Sequence, residues 1–181
     1  MKRKIGLVLL AFILTLSCVA CGKKNKNSNL LVTYPIELFA EKDAKDITKS
    51  YVDDLYKYKL SQWVPNGTCT NLDIIDSKEV KVEYTREQAD NEIKSLKAAM
   101  LEKFTPNAPD VQFSDDYTEL TITANSPELT NEVTKACTAS LLFLQIIDGK
   151  NYNDARVAVT IKINGSDKDE TAEYTCFDYF K

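Results

Sequence analysis

Apolar side chains recur every three or four positions in three stretches of the chain, a spacing that predicts three amphipathic helices. The first stretch runs from Glu41 to Trp63 and contains no proline or glycine. Thr85 and Gln88 form a capping box that starts the second stretch, and Ser126 with Pro127 starts the third. The predicted apolar faces are Ile47, Tyr51, Leu55 and Tyr58 in the first helix, Ala89, Ile93, Leu96, Met100 and Phe104 in the second, and Leu129, Val133, Cys137, Leu141, Leu144 and Ile147 in the third.

Apolar and polar residues alternate with a period of two between these helices, which predicts strands with one wet face. The first strand region holds two segments separated by a turn, and the second has a turn at Asp115–Asp116. A hairpin closes the chain. The segments are Thr68–Ile75 and Glu79–Tyr84 in the first region, Val111–Ala124 in the second, and Ala155–Ile163 with Thr171–Phe180 in the hairpin.

The order of these elements predicts one α+β domain over residues 30–181, which is a common domain size. We expect a mainly antiparallel sheet of about four to five strands with three helices packed on it. The third helix is apolar on nearly all sides from Ala139 to Ile147, so we expect it to lie at the centre of the domain. A curved sheet of the NTF2-like or cystatin-like kind is the alternative topology.

Residues 1–20 have the pattern of an export signal. Three basic residues follow Met1, an apolar run extends from Ile5 to Leu16, and small residues precede Cys21. The run is shorter than the roughly 20 residues that a permanent membrane span needs. We expect cleavage before Cys21 and a diacylglycerol on its thiol, in the manner of a lipobox, with Cys18 as the alternative lipidated residue.

The residues that follow Cys21 are polar, and we predict that residues 21–29 form a flexible tether behind the acylated cysteine. A diacylglycerol carries two acyl chains, for example palmitate chains, and two chains suffice for stable anchoring. We therefore expect a lipoprotein held on the extracytoplasmic face of the cell membrane.

Charge argues against nucleic acid as a partner. The formal net charge of the whole chain is −4, and from Leu30 onward 17 basic side chains face 27 acidic ones. A body this acidic is repelled by phosphate backbones and by anionic lipid headgroups. The membrane contact we expect is therefore through the lipid and not through the folded part.

The residue inventory excludes several kinds of chemistry. The chain has no histidine, which excludes Ser-His-Asp and Cys-His catalysis and every histidine-containing metal site. Its five glycines form no phosphate-binding loop, and we predict no cofactor and no metal. Cys69 and Cys176 both follow threonine in strand-like segments and are candidates for a disulfide, whereas Cys137 falls on an apolar helix face.

Aromatic residues are the side chains best suited to bind a sugar, a peptide or a protein surface. The chain has nine tyrosines, seven phenylalanines and one tryptophan. Tyr51 and Tyr58 share the apolar stripe of the first helix, so we assign them to the core. The candidates for a binding surface are Tyr34, Tyr56, Trp63, Tyr152 and Tyr179.

The residues MKRK, the apolar run, the segment CGKK and the stretch Ser50–Lys57 (SYVDDLYK) resemble small uncharacterised lipoproteins of Gram-positive, Firmicutes-type bacteria. The resemblance implies an address at the cell envelope and carries no activity with it. Together with the missing catalytic motifs, it favours a non-enzymatic module that binds a protein or another envelope component. A small-ligand-binding accessory lipoprotein is the alternative, and a carboxylate-dependent enzyme is a third hypothesis.

Overall fold

The structure is a computed structural model that describes residues 29–40, 47–102 and 107–178. These residues form three α-helices and seven strands. The predicted α+β class with three helices is confirmed. In chain order the elements are β1 (Leu30–Pro35), α1 (Lys49–Tyr58), β2 (Asn71–Ile75), β3 (Glu79–Tyr84), α2 (Arg86–Leu101), β4 (Asp110–Phe113), β5 (Glu119–Ala124), α3 (Thr130–Ile147), β6 (Arg156–Ile163) and β7 (Glu170–Thr175).

The strands form two sheets and not the single sheet of four to five strands that the sequence predicts. The first sheet has three antiparallel strands in the order β1-β3-β2, and the second has four in the order β4-β5-β6-β7. Pairing is antiparallel except between β5 and β6, which run parallel. Because a parallel pair needs a long crossover, the chain passes through α3 between these two strands.

Helix α3 joins the two sheets into one hydrophobic core. It packs against β1 of the first sheet, against β5 and β6 of the second, and against α2. Leu141, Leu142 and Leu144 are fully buried, so the prediction of a central helix is confirmed. The buried Gln145 in the same helix donates from Nε2 to the carbonyl oxygens of Tyr117 and Arg156 at 2.6 and 2.7 Å.

The capping box of α2 is confirmed. The Thr85 hydroxyl oxygen accepts a bond from the Gln88 backbone N–H at 3.1 Å, and Gln88 Oε1 accepts one from the Thr85 backbone N–H at 2.8 Å. These two bonds satisfy N–H groups that have no partner within the helix. They fix the first turn of α2 directly after β3, so the helix folds back over the first sheet.

The strand β1 is absent from the sequence prediction. Its inward residues Val32 and Tyr34 alternate with Leu31 and Thr33, which is the period of a strand, although Pro35 ends the pattern early. A short 3-10 helix, Ile36–Phe39, follows and buries three of its four side chains. The first sheet therefore begins at Leu30, directly after the segment that the sequence predicts to be a tether.

The first predicted helix is shorter than expected. It starts after Thr48, whose hydroxyl oxygen accepts from the Tyr51 backbone N–H, and it ends at Tyr58. A separate 3-10 turn, Leu60–Gln62, then brings Leu60 into the core. Tyr58 is the last residue of the helix and its side chain is 68% exposed, so the prediction that it belongs to the core is wrong.

Candidate binding surface

Two of the predicted binding residues belong to the core. Tyr34 and Trp63 are both buried, so their assignment to a binding surface is wrong. Tyr34 stands on the inner face of β1, where its ring lies 5.7 Å from that of Phe39 and 4.8 Å from that of Phe143. Phe39 also contacts Trp63 at 5.7 Å and Phe143 at 5.1 Å. These rings pack on one another as core side chains do.

The other predicted residues lie in different places. Tyr56 lies on α1 and is 44% exposed. On the same helix, Lys57 Nζ lies 4.9 Å from the centre of the Tyr58 ring. Tyr179, the lipidation candidates Cys21 and Cys18, the signal and most of the tether lie outside the described residues. Only Tyr152 stands beside other groups that form a surface site.

Tyr152 belongs to a surface group that we call the aromatic–carboxylate corner, defined by Tyr152, Phe177, Glu37 and Glu79. The Tyr152 hydroxyl donates to Glu79 Oε1 at 2.6 Å. The rings of Tyr152 and Phe177 meet edge to face, with centroids 6.1 Å apart and planes at 71°. Phe177 is 41% exposed and the other three side chains are half-buried.

The two carboxylates reach the corner from the first sheet. Glu79 is the first residue of β3, and Glu37 lies in the 3-10 helix that follows β1. The Ile36 backbone N–H donates to the Lys78 carbonyl oxygen at 2.8 Å, which ties the two segments together. Glu37 is close enough to Tyr152 to interact with it electrostatically.

Side-chain bonds in two turns hold the aromatic residues in place. The loop that carries Tyr152 is closed by a bond from the Asn153 backbone N–H to Asn151 Oδ1. Phe177 follows β7, where its backbone N–H donates to the Thr175 hydroxyl oxygen and Asp178 Oδ2 accepts from the Thr175 backbone N–H. Both rings are therefore presented by tied turns at the surface.

The hydrogen bond to Glu79 is the main cause that raises the pKa of Tyr152. A phenol that donates to a carboxylate is stabilised in its neutral form, and the nearby charges of Glu79 and Glu37 act in the same direction. Arg156, four residues after Tyr152, donates from Nη1 to the carbonyl oxygens of Asn153 and Ala155. The corner thus combines a partly exposed aromatic pair with two carboxylates.

A second group, which we call the buried polar cluster, consists of Tyr34, Tyr84, Glu92 and Cys69. The hydroxyl oxygens of Tyr34 and Tyr84 lie 3.2 Å apart, and both side chains are fully buried. Glu92 interacts electrostatically with both phenols and with the Cys69 thiol. The four residues come from β1, β3, α2 and the segment before β2.

Burial disfavours the charged form of every group in this cluster. It raises the pKa of both phenols well above the ordinary value, and it raises the pKa of the Cys69 thiol to about 11. It also raises the pKa of Glu92 to about 7. In the tyrosine pair one hydroxyl donates to the other, which leaves the second hydroxyl proton without an acceptor among the described residues.

Glu92 and Tyr84 are absent from the sequence-based list of functional residues. Glu92 lies three residues after Ala89 and four before Leu96, on the buried stripe that continues to Met100. This spacing is the sequence signal for a buried carboxylate, because a glutamate inside an apolar stripe of a helix is unusual. The sequence prediction placed Ile93 there, and that side chain is only partly buried.

The predicted disulfide does not form. Cys69, Cys137 and Cys176 are free and buried. Cys69 precedes β2 of the first sheet beside Glu92, whereas Cys176 follows β7 of the second sheet near Arg156. Burial raises the pKa of Cys137 and of Cys176 to about 12, so both remain thiols at neutral pH.

The described residues bring no three histidine, cysteine or carboxylate side chains together in a group that fits a metal ion. Within ranges 29–40, 47–102 and 107–178, no helix is both long and apolar enough to cross a membrane.

Comparison with known proteins adds no relative. No protein-family model matches the chain, and no curated protein or solved structure matches it. The resemblance to Gram-positive lipoproteins therefore stays a prediction from the sequence.

Proposed function

We propose that this protein is a membrane-anchored lipoprotein whose folded domain binds a protein or another envelope component on the extracytoplasmic face. The anchor is the diacylglycerol on Cys21, and the binding surface is the aromatic–carboxylate corner. The observation that carries the proposal is the position of Tyr152 and Phe177, a partly exposed aromatic pair beside two carboxylates.

The chemistry of the corner favours a partner with a positively charged group. Aromatic faces attract ammonium and guanidinium groups, and Glu37 and Glu79 add two negative charges beside the rings. The excess of acidic side chains in the body steers cations toward the protein over a longer range. A lysine- or arginine-bearing segment of another envelope protein fits these properties.

The direction of the chain supports an accessible corner. The tether enters β1 at Leu30, which pairs with Tyr84, whereas Glu79 pairs with Pro35 at the other end of the strand. Five residues of strand span roughly 17 Å. The corner therefore lies at the end of the first sheet remote from Leu30, where the proposed tether would enter with roughly 15 Å of reach.

The alternatives have less support. A small-ligand-binding accessory lipoprotein calls for an aromatic-lined site, but the rings of Tyr34, Phe39, Trp63 and Phe143 fill the core by packing on one another. A carboxylate-dependent enzyme calls for a buried carboxylate pair in a cleft, whereas Glu37 and Glu79 lie half-buried at the surface. Glu92 is surrounded by phenols and a thiol and not by a second carboxylate among the described residues.

The binding part of the proposal is tested by crosslinking the native lipoprotein in cells and identifying captured proteins by mass spectrometry. The corner variant carries Tyr152→Ala and Phe177→Ala, and the matched control carries Tyr56→Ala and Tyr58→Ala on α1. An unrelated lipoprotein with the same anchor reports captures that are due to the membrane alone. We expect a saturable partner that the corner variant loses and the α1 variant keeps. Recovery of only what the anchor control recovers would contradict the proposal.

The anchor is tested separately by replacing Cys21 with alanine. The variant is expected to leave the membrane fraction and to lack the acyl mass, since no thiol remains at the cleavage point. Cys18→Ala is the control and is expected to behave like the unaltered chain. If membrane association and acyl mass are lost with Cys18→Ala and kept with Cys21→Ala, the lipid is on Cys18.

A further inference from the structure

Glu92 has a position that the proposed function does not use. It lies near the middle of α2 on the face that carries Ala89, Leu96 and Met100, and only 8% of its side chain is exposed. Glutamate is almost never buried to this degree without a partner, because removing a carboxylate from water is costly. Its presence in the interface between α2 and the first sheet therefore calls for an explanation.

No neighbouring group offsets this burial. Among the described residues Glu92 has no hydrogen-bond donor and no cation, and loss of solvent alone raises its pKa to about 7. The titratable groups that face it are Tyr34 from β1, Tyr84 from β3 and Cys69 from the segment before β2, and all three are neutral at that pH. The other elements that pack against α2 are α3 and β4, and they contribute no charge that shifts it.

We propose that the protonation of Glu92 controls how firmly α2 is held against the first sheet. The neutral carboxyl fits the interface beside two phenols and a thiol. The ionised carboxylate becomes fully hydrated only when α2 moves away from the sheet, because 8% of the side chain is exposed while the helix is packed. The inference is independent of the proposed partner, and it makes the domain sensitive to pH near neutrality.

The direction of the effect follows from proton linkage. A carboxyl with a folded-state pKa of about 7 and an ordinary value of 4.5 binds its proton more tightly in the closed state. The closed state is therefore most favoured below about pH 4.5 and loses that advantage as the pH rises to about 7. Between pH 5 and pH 8 the equilibrium constant for opening is expected to rise roughly seventyfold.

Hydrogen exchange of the full-length protein in mild detergent measures this opening. The protection of α2 peptides, corrected for the intrinsic pH dependence of exchange, is compared at pH 5 and pH 8 with that of α3 peptides in the same sample. We expect α2 to lose protection at pH 8 and α3 to keep it. The Glu92→Gln variant is expected to show equal protection of α2 at both pH values, whereas Asp90→Asn, an exposed acid on the same helix, is expected to behave like the unaltered chain.

Three results would overturn the proposal: α2 protection that does not change with pH, an equal loss of protection in α3, or a pH dependence that Glu92→Gln retains. The unaltered protein provides a test that does not depend on the folding of any variant. The ¹³C chemical shift of the Glu92 carboxyl reports its titration directly, and a midpoint near the ordinary 4.5 would also rule the proposal out.

Discussion

Two groups of tyrosine and glutamate in this molecule differ in what surrounds the carboxylate. In the aromatic–carboxylate corner, Glu79 is half-buried and accepts a 2.6 Å hydrogen bond from Tyr152. In the buried polar cluster, Glu92 lies beside Tyr34 and Tyr84 but accepts no hydrogen bond from either, and the two hydroxyl groups bond to each other instead.

Residue types alone do not decide the role of such a group, because its surroundings set the cost of the charge. An open carboxylate with a donor retains its charge at little cost and is available to a cationic partner. A carboxylate without a donor in the core carries its charge at a cost of several kcal/mol, so it responds to protons. We therefore propose recognition for the corner and pH sensitivity for the cluster.

The largest expected effect comes from removing the charge of Glu92. The stability that its protonation contributes is fully present below about pH 4.5 and is lost as the pH rises through about 7, for a total of about 3 kcal/mol. Glu92→Gln is therefore expected to raise the free energy of unfolding at pH 8 by up to about 3 kcal/mol and to flatten its pH dependence. Urea denaturation of the full-length chain at pH 5 and pH 8 measures both, with Asp90→Asn as the control. If Glu92→Gln is no more stable than the original at pH 8, the proposed difference between Glu92 and Glu79 is wrong.

An intermediate effect is expected in the tyrosine pair. Tyr84→Phe or Tyr34→Phe leaves one buried hydroxyl without a partner, which costs about 1–3 kcal/mol of unfolding free energy. The double variant removes both hydroxyls and is expected to cost less than the two single changes together. Denaturation of the three variants completes a double-mutant cycle, and strictly additive values would show that the 3.2 Å contact contributes nothing.

The smallest effect is expected at the corner itself. Tyr152→Phe removes the hydrogen bond to Glu79 at a site that water reaches, so the free energy of unfolding is expected to fall by less than about 1 kcal/mol. The same change in the buried pair is expected to lower the free energy of unfolding by more than the change at Tyr152. Denaturation of Tyr152→Phe beside Tyr84→Phe measures this difference, and a greater loss at Tyr152 would reverse the assignment of the two groups.

Local sequence signals predicted most of the fold. Alternation gave β3 and the C-terminal hairpin, the capping box gave the start of α2, and the apolar half of α3 gave the central helix. The division into two sheets was not predictable, because strand pairing depends on contacts between distant segments. β1 was missed since it is short and ends at Pro35, although the alternation of Val32 and Tyr34 was present.

The candidate site was predicted only in part. Its aromatic side chain makes Tyr152 a candidate, and it lies at the corner, but the same reasoning selects Tyr34 and Trp63, which are core side chains. Residue type alone does not distinguish these cases. Glu37, Glu79 and Phe177 join Tyr152 through tertiary structure, since they come from segments far apart in the chain.

Site-specific photocrosslinking tests whether the corner is the surface that binds the partner. A photoreactive phenylalanine analogue replaces Phe177 in one strain and Tyr58 in another, because Tyr58 is the more exposed aromatic residue at 68% against 41%. We expect the probe at position 177 to capture one specific envelope protein and the probe at position 58 not to capture it. We also expect the double change Glu37→Gln and Glu79→Gln to weaken the capture at position 177. Equal capture at both positions, or capture at position 58 alone, would contradict the assignment of the binding surface to the corner.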